Sequence, residues 1–438
     1  MNKKILRLAL PNIISNITVP LLGVVDLAIV GHLEVEQSIG GISLATMIVN
    51  FIYWNFAFLR MGTSGFTAQS YGARNLKEAT AVLFRSMAIA MLASGLILLF
   101  HRGILELAFH WIETSETVRS YTKAYFNIYI WAAPAILGQY ALTGWLIGMQ
   151  NAKTPMFVAI FVNVLNICLS FFFVYGLGMQ IEGVAMASLI AQTCGFLYAL
   201  LIFVRCYGRL RSYWDWSVVK RVRTFAPFFR VNSDIFMRTL LLVCVTTFFT
   251  SASASLGDTI LAVNTLLMQF FIFFSYMMDG FAYAAEALAG RYVGARDPLN
   301  LYRLVRQLFR WGLAVALLFT LLYGLFTEEI LGILTDKANV ILASRAYRHW
   351  VLLIPMAGFA AFLWDGIFIG ATASRQMRNS MLVAAGGFFL LYALLSACRM
   401  PSALWISFLC YLALRGGVQT MMAKSVLSKS ISTIHLQS

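Results

Sequence analysis

The run MFVAIFVNVLNICLSFFFVYGLG, residues 156–178, holds no charged side chain, and about 20 apolar residues suffice for a helix to cross a ~30 Å hydrocarbon layer. Lipid offers no hydrogen bonds, so a spanning segment must satisfy its own backbone, which an α-helix does. The rest of the chain repeats the pattern. Of its 438 residues, 60% are hydrophobic and 12% charged, where a soluble globular chain carries roughly a quarter charged residues. The sequence predicts an all-α integral membrane protein.

Hydropathy and loop punctuation place twelve spans near 8 to 30, 40 to 68, 82 to 100, 124 to 148, 155 to 177, 183 to 204, 228 to 252, 259 to 288, 308 to 326, 346 to 370, 379 to 398 and 402 to 422. Lys3, Lys4 and Arg7 precede the first. That run is long, lacks a small-residue cleavage site and carries Asp26, so it reads as an uncleaved span and not as a signal peptide. With the amino terminus in the cytoplasm, 24 of the 33 Lys and Arg fall in or beside cytoplasmic loops, Arg415 among them, and 7 on the opposite side. Arg60 and Arg238 remain inside spans. The positive-inside bias puts both termini in the cytoplasm. It also explains the net charge of +15 without a nucleic-acid partner, since the basic residues form no single patch with interleaved aromatics.

An offset of 222 residues lays YGARN (71–75) on VGARD (293–297) and TGWLIGMQNA (143–152) on DGIFIGATAS (365–374). It also lays IGGISLAT (39–46) on LAVNTLLM (261–268). The chain therefore reads as two pseudo-symmetric six-helix lobes, residues 1–204 and 228–438 with a short tail, joined by a basic cytoplasmic linker at 205–227. Six is even, so both lobes start on the same side. The repeat is parallel, its axis along the membrane normal.

An ionisable side chain within a span costs a few kcal/mol on insertion scales, which makes each one a functional candidate. Asp26, Asp279, Glu286 and Asp365 qualify. Asp26 lies in VPLLGVVDLAIVG (19–31), six residues after Pro20, whose ring removes a backbone hydrogen bond and kinks the helix, so Pro20 is read as a hinge. Desolvation favours the protonated carboxyl and an arriving cation favours the ionised form, so Asp26 holds either a proton or a cation. That competition is the coupling step of an antiporter; the bland alternative is snorkelling to the interface near His32 and Glu34. Asn163, Asn166 and Ser170 share one helix face. They read either as part of a site around Asp26 or as polar packing glue. Asp279 and Glu286, seven apart, share a face and with Asp365 would make an acidic pocket in the second lobe. Asp234 and Arg238, four apart, read as a structural helical pair, with Arg238 alternatively neutralising one of the second-lobe acids. The run LLMQFFIFFSYMMDG (266–280) offers a soft, re-packable surface suited to flat apolar cations, or simply a lipid- or helix-facing one.

LRLALPNIISNITVPLLGVVDLAIVGHL from Leu6, FLRMGTSGFTAQSYGARN from Phe58, AVNTLLMQFFIFFSYMMDGFAYAAEALAGRYVGARD from Ala262 and WDGIFIGATASRQMRNS from Trp364 resemble the multidrug and toxic compound extrusion (MATE) transporters, in their DNA-damage-inducible branch. The likeness extends over nearly the whole chain. It implies two lobes around a V-shaped cavity and export driven by inward flow of protons or sodium ions. Carried over by position, Asp26 resembles the first-span coupling aspartate, Asn166 the fifth-span asparagine and Ser188 a sixth-span hydroxyl of the same site. Asp365 resembles a tenth-span acid implicated in cation binding. Where the family often has an aspartate four residues after that asparagine, this chain has Ser170, which tilts the expectation from sodium to proton.

The expected protein is thus a bacterial inner-membrane antiporter. It acts alone on amphipathic organic cations within the lipid bilayer, with a proton or sodium ion in place of any cofactor. No Walker A sequence, nucleophile elbow or H-E-x-x-H is present, and the six cysteines form no CxxC, which argues against an ATPase, a hydrolase, a zinc site and a disulfide framework. A lipid-linked oligosaccharide flippase is the alternative transporter, expected to need a cationic cavity where the spans here read as mainly acidic. An intramembrane lipid-modifying enzyme lacks a convergent catalytic set.

Overall fold

The computed structural model describes residues 1–31, 36–112, 114–214, 222–335, 337–398, 400 and 402–432, with side chains at all of these but 19–31, 36–39, 222–225, 338 and 429–432. Every element in them is helical. Ten helical segments are long and apolar enough to cross a membrane, and helices of 30 residues open and close the series, giving twelve. In chain order they are α1 Asn2–Gly31, α2 Gly40–Gly72, α3 Leu76–Trp111, α4 Glu116–Gly148, α5 Lys153–Gly176, α6 Ile181–Tyr213, α7 Ala226–Ser255, α8 Asp258–Gly294, α9 Pro298–Leu334, α10 Asn339–Gly370 and α11 Ser374–Ala397, then α12 Ala403–Ser432.

Several helices run past the expected span edges, because their polar ends continue the helix where hydropathy has already fallen. In α9 a stripe of Leu313, Leu317, Leu321 and Leu325, 40 to 61% exposed, recurs every four residues along one face. Such a stripe is stable only against an apolar solvent, and the acyl chains of a bilayer provide one.

The chain divides into two compact units, Ile14–Ala226 and Met1–Ile13 with Pro227–Ser438. The second boundary falls one residue from the expected start of the carboxyl lobe. The first thirteen residues, assigned from sequence to the amino lobe, instead pack with the second unit. Ile5, Leu8, Ala9 and Ile13 are buried, and a methyl group on Gly280 of α8 would collide with Ile13 and the Ala9 carbonyl.

The 222-residue repeat recurs in backbone detail. The non-glycine residues with positive φ are Arg74 (57°), Gln150 (66°), Arg296 (53°) and Thr372 (53°) among the described residues, and they form two pairs at that offset. Asn75 caps α3 by accepting from the Glu78 N–H at 3.0 Å, and Asp297 caps α9 by accepting from the Asn300 N–H at 3.0 Å. A Cβ at Gly144 would meet the Arg60 carbonyl, and one at Gly366 the Ala282 carbonyl; Gly148 stands likewise against Ser64 and Gly370 against Glu286. Each of these contacts maps onto its partner by adding 222. The glycines let α4 seat directly on the backbone of α2, and α10 on that of α8.

Candidate functional site

In the unit Ile14–Ala226, α5 and α6 meet through a small polar cluster. Asn166 Nδ2 donates to Ser188 Oγ at 2.9 Å, and Ser170 Oγ donates to Asn166 Oδ1 at 3.4 Å. All three are buried. One turn earlier, Asn163 Nδ2 donates to the Thr18 carbonyl of α1 at 3.2 Å. Asn166 and Ser170, expected on one face of α5, thus stand with Ser188 of α6, and Asn163, expected on the same face, reaches the helix that carries Asp26. The side chains of Asp26 and Pro20 lie outside the described residues, as do those of His32 and Glu34.

The second unit holds a charged cluster drawn from three helices. Both oxygens of the buried Asp365 carboxylate, on α10, are engaged. Oδ2 accepts from Arg238 Nη2 of α7 at 2.7 Å and from Arg415 Nη2 of α12, and Oδ1 accepts from Gln419 Nε2 at 2.6 Å. Arg415 also lies 5.5 Å over the Phe362 ring. Asp279 of α8 is partly buried.

These contacts correct three expectations. Asp234 and Arg238 do not form the local helical pair: the Asp234 carboxylate accepts from Arg378 Nη1 at 2.6 Å and from Ser374 Oγ at 2.9 Å. Arg238 takes the alternative course and neutralises Asp365. Asp365, expected to line an acidic pocket with Asp279 and Glu286, stands instead in an ion-paired centre, in which an incoming cation would have to displace two guanidinium groups. Glu286 is buried on α8, where its carbonyl underlies Gly370 of α10. Nor are the buried charges mainly acidic among the described residues, since Arg60, Arg238 and Arg415 stand among them.

Arg415 and Gln419 are the residues the sequence reading missed. Arg415 was counted with the basic carboxyl flank, yet it is 2% exposed, twelve residues into a 30-residue helix. Its place inside a run otherwise free of charge from Ala403 to Met422 was the available signal.

A family model described as MatE matches residues 11–172 and 235–396, one copy in each half of the chain. The chain is 40% identical over 417 residues to the DNA damage-inducible protein F of Escherichia coli K12, covering 95% of this chain and 90% of that protein. It is 24% identical over 358 residues to the "Probable multidrug resistance protein NorM" of Thermotoga maritima, covering 79% and 75%. Among solved structures, the Vibrio cholerae MATE transporter VcmN in its bent form superposes with a TM-score of 0.86 at 18% identity, covering 98% of this chain and 97% of that one. With a repeated helical scaffold, one polar cluster in each unit and a family model matching both halves, the chain belongs to the MatE family of multi-pass membrane transporters.

Proposed function

We propose that this transporter is a proton-driven antiporter that exports amphipathic organic cations, drugs or toxic metabolites across a bacterial inner membrane, with both termini in the cytoplasm and Asp26 as the coupling group. One observation carries the assignment of Asp26. The positions 222 residues on from Asp26, Asn166 and Ser170 are Phe248, Phe388 and Tyr392. In the second unit Phe248 packs against Phe388 and Tyr392, with ring centroids 5.9 and 5.2 Å apart. Applied to the first unit, the same register supports a place for position 26 of α1 beside the Asn166–Ser170 face of α5. The helical rise agrees: position 26 is about 12 Å beyond Thr18 and Ser170 about 10 Å beyond Asn163 along spans that run in the same direction.

A lone carboxyl group beside amides and hydroxyls suits a proton better than a sodium ion, which asks for several hard oxygen ligands. In this reading protonation of Asp26 removes the charge that holds the cation and lets cargo leave outward, the helix bending near Pro20. Uptake of an organic cation into inverted membrane vesicles, driven by an imposed proton gradient, tests it. Wild-type vesicles accumulate the cation without sodium, and Asp26→Asn vesicles do not. Proton-driven uptake by Asp26→Asn equal to wild type refutes the assignment.

A further inference from the structure

The cluster around Asp365 is built for more than mutual neutralisation. Arg238 and Arg415 are 8% and 2% exposed. Both approach Asp365 with a single Nη2, and both land on the same oxygen. A guanidinium can offer a two-pronged fork to a carboxylate, and here neither does. The Nε of each arginine, a donor, is buried without a hydrogen-bond partner among the described residues. The deeply buried part, two arginines and one aspartate, carries a formal charge of +1, and Asp279 is only partly buried, where a charge is more strongly screened. An incompletely neutralised cation away from water is costly unless an anion joins it.

The surroundings specify the rest of the ligand. Phe362, under Arg415, packs against Phe271 and Phe274 at 6.3 and 6.0 Å, and Phe271 against Phe408 at 5.3 Å. An aromatic wall thus adjoins a cationic centre. We infer that Arg238 and Arg415 form a binding site for the anionic oxygens, carboxylate, sulfonate or phosphate, of an amphipathic anion, with Asp365 occupying that site as an internal stand-in and the phenylalanines receiving the apolar body. The site differs in sign and place from the cation-coupling position in α1.

Two probes with one apolar body and opposite charge test it: 4-phenylbutyrate and 4-phenylbutylamine, titrated by calorimetry into the full-length protein in phosphatidylcholine nanodiscs. The expected result is saturable binding of the butyrate at least about tenfold tighter than the amine, as one charge-assisted hydrogen bond supplies. Arg415→Gln should weaken the butyrate about tenfold or more, with Arg415→Lys in between. Because Arg415→Gln also perturbs packing, Asp365→Asn decides: it removes the competing carboxylate and should tighten the butyrate, opposite in sign to structural damage. Equal or tighter binding of the amine overturns the inference, as does unchanged or weaker butyrate binding in Asp365→Asn. Exchanging part of the lipid for phosphatidylglycerol identifies the source of the anion. Competition assigns a lipid headgroup and its absence a free amphiphile, both of them ligands of the same site. The titration does not read proton coupling, so the two ideas fail separately.

Discussion

At the 222-residue register, Asn16, Thr143 and Thr193 of the first half stand where the second half has Arg238, Asp365 and Arg415, and Phe248, Phe388 and Tyr392 stand where the first has Asp26, Asn166 and Ser170. Each unit has a polar interior, yet not at the same positions and not of the same kind. The amino-terminal cluster is made of amides and hydroxyls joined by neutral hydrogen bonds, while the carboxyl-terminal one is a set of formal charges. The helix contacts and turns that hold both are shared. Packing is therefore the preserved part of the repeat, and the chemistry in its interior has diverged.

That contrast has energetic consequences. Asp365→Ala strands two buried guanidinium groups and should cost about 3–5 kcal/mol of unfolding free energy. Asn166→Ala removes neutral partners only and should cost about 1 kcal/mol. Denaturant unfolding in one detergent measures both; equal costs would break the comparison. Next come the glycines: Gly144→Ala and Gly366→Ala each press a methyl group onto a facing carbonyl and should each destabilise by about 1–3 kcal/mol. Thermal melting that separates the two widely would show that the scaffold has diverged too. The caps give the smallest effect: Asn75→Ala and Asp297→Ala should each cost about 1 kcal/mol.

Acid separates the two caps. The Asn300 side chain and N–H hold the Asp297 carboxyl below its usual range, so its stabilisation is fully present above the unfolded carboxyl pKa. It is lost as pH falls through the lower folded value. Amide-exchange protection at Asn300 should therefore decline below about pH 4, whereas protection at Glu78, capped by the non-titrating Asn75, should not follow it.

The spans and the repeat were legible because each is a local signal. An apolar run of membrane length needs no partner, and the turn motifs GARN and GARD force the same left-handed residue and the same cap. The face shared by Asn163, Asn166 and Ser170 followed from helical spacing alone. The pairing of charges was not legible in that way. Arg238 has an acid one turn away in its own helix, but takes one 127 residues distant, and Asp234 takes a cation 144 residues distant. Periodicity ranks local partners and is silent on which helices become neighbours. Arg415 escaped for a related reason: a basic residue toward the end of the last apolar run looks like a topogenic flank until burial shows otherwise.

The matching left-handed turns at Arg74 and Arg296 make the hairpin joining α2 to α3 and the one joining α8 to α9 interchangeable cassettes. Chain direction reverses through the same dihedral at both junctions and a side-chain cap follows at once, so either segment can be grafted in place of the other without a new bend. A chimaera built in this way would carry one unit's corner on the other's walls and leave both polar interiors untouched.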